Sequence, residues 1–146
     1  MLDLVLAILH HLLVFALFGI LAAELITVRP GVSLETVKRV GTIDNYYGAL
    51  AALIIIVGFS RAIFAAKGWA YYSHNGFFWA KIAAFAVVAI LSVPPTIQYI
   101  RWARAKQTPG DQQVRSVRSF LFAEVGFFAL LPIFAAAMAR GYGEFQ

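Results

Sequence analysis

The feature that most constrains this chain is a series of four apolar stretches, each close to the roughly 20 residues that an α-helix needs to cross a bilayer. They cover residues 4–26, 46–65, 77–97 and 117–139. The alternation of apolar and polar residues that marks barrel strands is absent from them, so helices satisfy the backbone in lipid. The sequence therefore predicts an all-α integral membrane protein, with a single transmembrane domain over residues 1–146 folded as an up-down-up-down four-helix bundle.

The composition agrees with this interpretation. Of the 146 residues, 62% are hydrophobic and 13% are charged, whereas a soluble domain is about half apolar and about a quarter charged. So few polar side chains cannot cover a soluble globule, which excludes a soluble enzyme or signalling domain. The chain also has no cysteine, which excludes disulfides, iron–sulfur clusters and thiol nucleophiles.

The basic residues predict the orientation in the membrane. Those in the connections after the first and third stretches are Arg29, Lys38, Arg39, Arg101, Arg104, Lys106, Arg115 and Arg118. By the positive-inside rule this side is cytoplasmic, and both termini are periplasmic. We therefore expect a multi-pass protein of the bacterial inner membrane. Topology also explains the net charge of +5, so the lipid bilayer is an expected partner and nucleic acid is not.

Ionisable side chains inside the predicted spans fall into two layers. The layer on the cytoplasmic side contains Glu24, Asp44 and Glu124, and its acids are expected to form structural ion pairs with nearby bases (Arg29, Arg39 and Arg118). The layer on the periplasmic side contains His10, Arg61 and Lys81, and it is the better candidate for chemistry.

The periplasmic layer suggests a site for a flat, apolar, anionic cofactor. Haem b or another tetrapyrrole would use His10 for the iron, with Met138 or a histidine of another chain as second ligand. The predicted surroundings are Arg61, Lys81 and Arg140 for the acidic groups, and Tyr72 and Trp79 for the ring. Alternatively, His10 only forms an interhelical hydrogen bond and Lys81 extends to the membrane surface. His11 points away from the Glu24 face and is open to a neighbouring helix or subunit.

With such a cofactor the expected role is redox or cofactor handling, and two further functions remain open from the residues alone. The chain could be a non-enzymatic accessory subunit, or a homo-oligomer, that packs in the membrane through lipid-facing positions such as Gly58 and Phe127. An ion or copper transporter would need a continuous polar path between the two layers, and copper would favour more methionine than Met1 and Met138 provide. A di-iron site lacks the Glu-x-x-His motif.

Local strings along nearly the whole chain resemble a family of bacterial membrane proteins defined as a domain of unknown function. They include Leu9-His10-His11, Asp44-x-x-Tyr47-Gly48, Phe78-Trp79-x-Lys81, Ser92-x-Pro94-Pro95-Thr96 and Met138-Ala139-Arg140-Gly141-Tyr142-Gly143. More distantly, the layout is similar to the HemJ-type protoporphyrinogen oxidases and the copper-resistance protein D group. That resemblance implies a four-helix core with haem b, in which His10 (or His11) and Lys81 match the functional histidine and lysine.

Overall fold

The computed structural model describes residues 1–64 and 67–145, and these form six helices. Their bounds are α1 Leu2–Thr27, α2 Leu34–Phe64, α3 Gly68–Ser73, α4 Gly76–Ala105, α5 Asp111–Phe128 and α6 Leu130–Ala139. No strand occurs among the described residues. Helices α1, α2, α4 and the pair α5–α6 each have the length and apolarity to cross a membrane. The predicted all-α membrane bundle is therefore confirmed.

The helices extend beyond the predicted spans. Helix α2 begins at Leu34, twelve positions before the predicted span, because Ser33 accepts a hydrogen bond from the Thr36 backbone N–H and so starts the helix. At about 1.5 Å per residue, this 31-residue helix exceeds the roughly 30 Å of a hydrocarbon core. The expected short segment before the second span is thus the first part of one continuous helix. The predicted end of that span, Ala65, lies outside the described residues.

Three prolines affect the third and fourth spans differently. Helix α4 continues through Pro94 and Pro95, although each proline lacks the N–H that a helical residue donates four positions back. In the fourth span, α5 ends at Phe128 and α6 begins at Leu130. Pro132 explains this interruption, because it cannot donate to the Phe128 carbonyl and its ring crowds that group.

The helices form a ring in which α1 contacts α2 and α5, while α4 contacts α2, α5 and α6. Consequently α1 stands diagonally opposite α4, and α2 opposite α5; no Cα atoms within these two diagonal pairs approach within 8 Å in the described part of the chain. Both termini lie at one end of the bundle, which we call the termini end. The opposite end contains the connections rich in Arg and Lys, and we call it the basic end.

Two polar side chains fix the helix ends. Arg118 donates to the Leu25 and Val28 carbonyl oxygens at 2.7 and 2.6 Å, and so caps the basic end of α1. Asn75, fully buried, accepts from the backbone N–H groups of Phe77 and Phe78 at 3.0 and 3.3 Å. This N-cap sets the direction in which α4 enters the bundle.

Candidate functional site

One small cavity lies between the helices at the termini end, and we call it the His10 pocket. It has a volume of about 20 Å³, which is room for a single water molecule. The side chains around it come from α1, α2, α3, α4 and α6, and they are His10, Arg61, Tyr72, Phe78, Lys81 and Met138. Side chains that are far apart in the sequence thus meet in one place.

His10 lies against a glycine of the neighbouring helix. A Cβ atom added to Gly58 would come within 3.3 Å of His10 Cε1 and 3.6 Å of His10 Nδ1. A larger residue at position 58 would therefore push the imidazole away from α2. Gly58 also lines the pocket, so the expectation that it belongs to a lipid-facing packing surface is wrong.

The pocket contains polar atoms whose hydrogen bonds are not made. His10 Nδ1 and Arg61 Nε are buried and have no hydrogen-bond partner among the described residues. Asp3 Oδ1 is also buried without a hydrogen-bond partner among these residues, and it lies 4.0 Å from Arg61 Nε. Lys81 extends toward the Phe78 ring, with Nζ 5.8 Å from the centroid. The site therefore has donor groups on three helices and one loosely held acid.

Asp3 is not among the site residues predicted from the sequence. The signal was present, because Asp3 is in the first turn of α1 and Arg61 in the last turn of α2. Consecutive antiparallel helices bring such turns to the same end of a bundle.

The connection between α2 and α4 and the C-terminal residues close the termini end. Asn75 Nδ2 donates to the Tyr142 carbonyl at 3.1 Å, and the Gly76 N–H donates to the Gly143 carbonyl at 2.7 Å. A third bond joins α3 to α6, since the Tyr71 hydroxyl donates to the Met138 carbonyl at 3.1 Å. These bonds place Tyr72, Phe78 and Met138 over the pocket.

Three residues of the predicted periplasmic layer do not line the pocket. Trp79 is 47% exposed and donates from its indole nitrogen to the Ser73 carbonyl at 2.9 Å. Arg140 is exposed at the end of α6. His11 is exposed, with Nδ1 2.6 Å from the Ala7 carbonyl oxygen. Of the two adjacent histidines, His10 is the one that faces the interior.

The second polar layer differs from the expectation. Glu24, Asp44 and Glu124 are buried, but no Lys, Arg or His nitrogen of the described residues lies within 4 Å of their carboxyl oxygens. Arg29 is exposed, and Arg118 bonds to the carbonyls at the end of α1. The predicted ion pairs of this layer are therefore not formed among the described residues.

Hydroxyl groups replace the predicted bases. The Tyr99 hydroxyl donates to Glu24 Oε2 at 3.4 Å, the Tyr47 hydroxyl donates to Glu124 Oε2 at 3.2 Å, and the Thr96 hydroxyl donates to Asp44 Oδ1 at 3.0 Å. A neutral donor can be buried at lower cost than a second charge, which explains why the interior contains tyrosine and threonine here and the arginines remain near the surface.

An apolar zone separates the two layers. His10 and Glu24 are fourteen residues apart on α1, which is roughly 21 Å along the axis. Buried apolar side chains occupy this interval, among them Leu17, Leu21, Ile54 and Val88. The described residues therefore provide no continuous polar path of the kind that an ion transporter needs.

The His10 pocket is small compared with a site that encloses a haem. A site that encloses a ligand of that class has a volume of about 300–1,000 Å³, whereas this cavity has about 20 Å³. His10 and Met138, the two expected iron ligands of this chain, line the same cavity. Haem binding at this pocket would require an opening of the helices or a position against the outer surface.

Comparisons with known proteins identify the chain at the level of its family. Neither the curated proteins nor the solved structures give a match. A protein family described as "Predicted membrane protein (DUF2214)" matches residues 2–143, nearly the whole chain. With four helices able to span a bilayer, the chain is a multi-pass membrane protein and belongs to this family.

Proposed function

We propose that the His10 pocket binds the anionic group of an apolar molecule that is dissolved in the membrane. The observation that carries the proposal is that His10 Nδ1 and Arg61 Nε are buried without partners at a single cavity that Lys81 also lines. A buried donor without an acceptor costs about 1–3 kcal/mol. An anion would accept from the arginine, from the lysine and from the imidazole in its Nδ1–H tautomer.

The charge of the pocket favours a ligand with one negative charge. Arg61 and Lys81 contribute two positive charges, and Asp3 contributes one negative charge at 4.0 Å from Arg61 Nε. One positive charge is left without compensation inside a membrane protein, where unpaired charges are costly. A monoanion would neutralise it.

The size of the pocket restricts what enters. A cavity of about 20 Å³ accepts one oxygen of a carboxylate and excludes the rest of the molecule. The remainder would lie between the helix surfaces and the acyl chains, which suits an apolar body. Haem b would place an oxygen of a propionate group in the cavity and leave its apolar ring outside. It is therefore one member of the proposed ligand class.

The test compares an acid with its uncharged analogue. The protein, in nanodiscs of zwitterionic lipid, is heated with dodecanoate or with dodecanol. We expect dodecanoate alone to raise the melting temperature, by an amount that corresponds to about 2.7 kcal/mol at 100 times its dissociation constant. The Lys81→Met variant should lose the response, and the exposed Arg140→Gln variant should keep it.

Equal stabilisation by dodecanol, or an unchanged response in Lys81→Met, would overturn the proposal. Acetate and chloride in parallel samples show whether a small anion is sufficient without the apolar body, which would overturn the membrane-dissolved ligand. For haem b, an absorption spectrum of the purified protein is the direct measurement. A Soret band that shrinks in His10→Ala supports haem, and a colourless preparation contradicts it.

A second candidate function, an accessory subunit, is favoured by one feature of the lipid-facing surface. Ala123, Gly126, Phe127 and Leu130 surround an open apolar groove of about 270 Å³ where α5 meets α6. Small residues allow helices of another chain to approach closely in a membrane. This function predicts that Phe127→Ala releases a co-purifying membrane protein or dissociates an oligomer, while His10→Ala does not.

We also propose that both termini face the periplasm of a bacterial inner membrane. The basic residues concentrated at the basic end support this orientation. Fusions of alkaline phosphatase and of green fluorescent protein to the C-terminus test it. Active phosphatase and dark fluorescent protein are expected, and the reverse pattern would contradict the orientation.

A further inference from the structure

Three buried carboxyl groups inside the bundle have no base near them. We call Glu24, Asp44 and Glu124 the carboxyl cluster; they are 3%, 6% and 1% exposed. In the described part of the chain, the ion pairs are Arg39 with Glu35 and Arg61 with Asp3, both outside this cluster. Burying a carboxylate without a positive partner costs several kcal/mol. No described side chain therefore supplies the positive charge that would balance the carboxyl cluster.

The two glutamates each present a free oxygen to the bundle interior. Glu24 Oε1 and Glu124 Oε1 are buried and have no hydrogen-bond partner among the described residues. The other oxygen of Glu24 accepts from Tyr99 on the diagonally opposite α4, and that of Glu124 accepts from Tyr47 on the diagonally opposite α2. Because each bond crosses the ring of helices, both carboxyl groups lie in its middle, and their free oxygens lie there with them.

The polar groups of the carboxyl cluster favour binding of a hard cation. All of its polar groups are oxygen donors: three carboxyl groups and the hydroxyls of Tyr47, Thr96 and Tyr99. Oxygen ligands suit alkali and alkaline-earth ions, and they do not suit soft metals. No three His, Cys, Asp or Glu side chains of residues 1–64 and 67–145 have the arrangement that holds a metal ion through such side chains alone. An ion held here would therefore depend on hydroxyl oxygens as well, and a singly charged ion needs the fewest negatively charged ligands.

We propose that the carboxyl cluster binds one monovalent inorganic cation, with sodium as the first candidate, between the free oxygens of Glu24 and Glu124. The ion would enter from the basic end, because Glu24 lies only three residues before the end of α1, which is about 5 Å along the axis. The site is separate from the His10 pocket, from which the apolar zone divides it, and it does not depend on the proposed anionic ligand.

The experiment measures protection of the two glutamates. The purified protein is treated with dicyclohexylcarbodiimide, a membrane-soluble reagent for carboxyl groups, in sodium chloride or in choline chloride of equal concentration. Mass spectrometry then locates the label. We expect labelling of Glu24 or Glu124 in choline, and a decrease of about tenfold once sodium is roughly ten times its dissociation constant. Chloride is constant, so the His10 pocket does not contribute to the difference.

Sodium should also raise the melting temperature relative to choline, and Glu124→Gln should abolish this shift. Glu35→Gln, a change at an exposed acid of α2, should leave it intact. If Glu124→Gln does not fold, Tyr47→Phe retains all three carboxyl groups and should weaken the response to sodium. Equal labelling in both salts would show that protons, not sodium, compensate the cluster, and it would overturn the proposal. Absence of label in both salts together with no thermal shift would overturn it as well.

Discussion

The contact between His10 and Gly58 gives a prediction that separates pocket geometry from overall stability. Replacing Gly58 by alanine adds a methyl group that would lie 3.3 Å from His10 Cε1. The ring has to move by a few tenths of an ångström, and the open space available to it is the pocket of about 20 Å³. We expect the imidazole to enter that space, so that Gly58→Ala reduces the pocket and weakens dodecanoate binding.

The magnitude follows from two opposing contributions. Alanine in a helix interior is more favourable than glycine by about 0.8–1.0 kcal/mol. Overpacking a tight contact costs about 1–3 kcal/mol. The free energy of unfolding should therefore be about 0–2 kcal/mol lower than that of the wild type. The thermal response to dodecanoate should be lost.

The same helix offers a matched control. Gly48 lies on α2, and a Cβ atom added there would have nothing within 4 Å. Gly48→Ala should gain the helix propensity without the clash, and so raise the melting temperature by about 2–4 °C per kcal/mol. Thermal unfolding and dodecanoate titration are measured for both variants. If Gly58→Ala is stabilised as much as Gly48→Ala and binds dodecanoate normally, the close packing of His10 on α2 is refuted.

Three further variants test other contacts. Asp3→Asn removes the acid that competes for Arg61. Dodecanoate affinity should rise about 1.4- to fivefold, since a partly exposed ion pair contributes about 0.2–1 kcal/mol; unchanged affinity in the titration would contradict this role. Arg118→Gln removes the donors to the Leu25 and Val28 carbonyls, and it should lower the free energy of unfolding by about 1.5–3 kcal/mol in denaturant titration. Asn75→Ala loses both the α4 cap and the bond to Tyr142, whereas Asn75→Ser keeps a neutral cap acceptor. Proteolysis of the C-terminal residues should increase in both variants, but the free energy of unfolding should fall by about 1 kcal/mol more in the alanine variant. Equal stability of the two Asn75 variants would show that the cap contributes nothing.

The fold could be predicted because the bilayer restricts the choices. An apolar stretch of sufficient length has to be a helix in lipid, and short connections make consecutive helices antiparallel. The depth of the charged side chains in the membrane could also be predicted. His10, Arg61 and Lys81 were placed in one layer by counting residues from the ends of the spans, and all three line one cavity.

The partners of the charged residues could not be predicted. Counting residues gives the depth of a side chain, but it does not give the rotation of each helix or which helices are neighbours. The sequence predicts that the acids of the second layer pair with nearby arginines, yet Tyr47 and Tyr99 reach two of them across the bundle. Trp79 and Arg140 lie at a suitable depth but on the outer surface. This could not be predicted, because the lipid and the interior are both apolar and the pattern of hydrophobic residues does not distinguish them.

The two diagonal tyrosine–glutamate bonds have a consequence for how the bundle assembles. In lipid, apolar side chains gain little by exchanging acyl chains for another helix, so hydrophobicity does not determine which helix stands beside which. A hydrogen bond from α4 to α1 and another from α2 to α5 favour the observed ring over arrangements in which either tyrosine does not reach its glutamate. Inserted helices can therefore sample several neighbours, and the arrangement in which both tyrosines find their glutamates is the one that is retained.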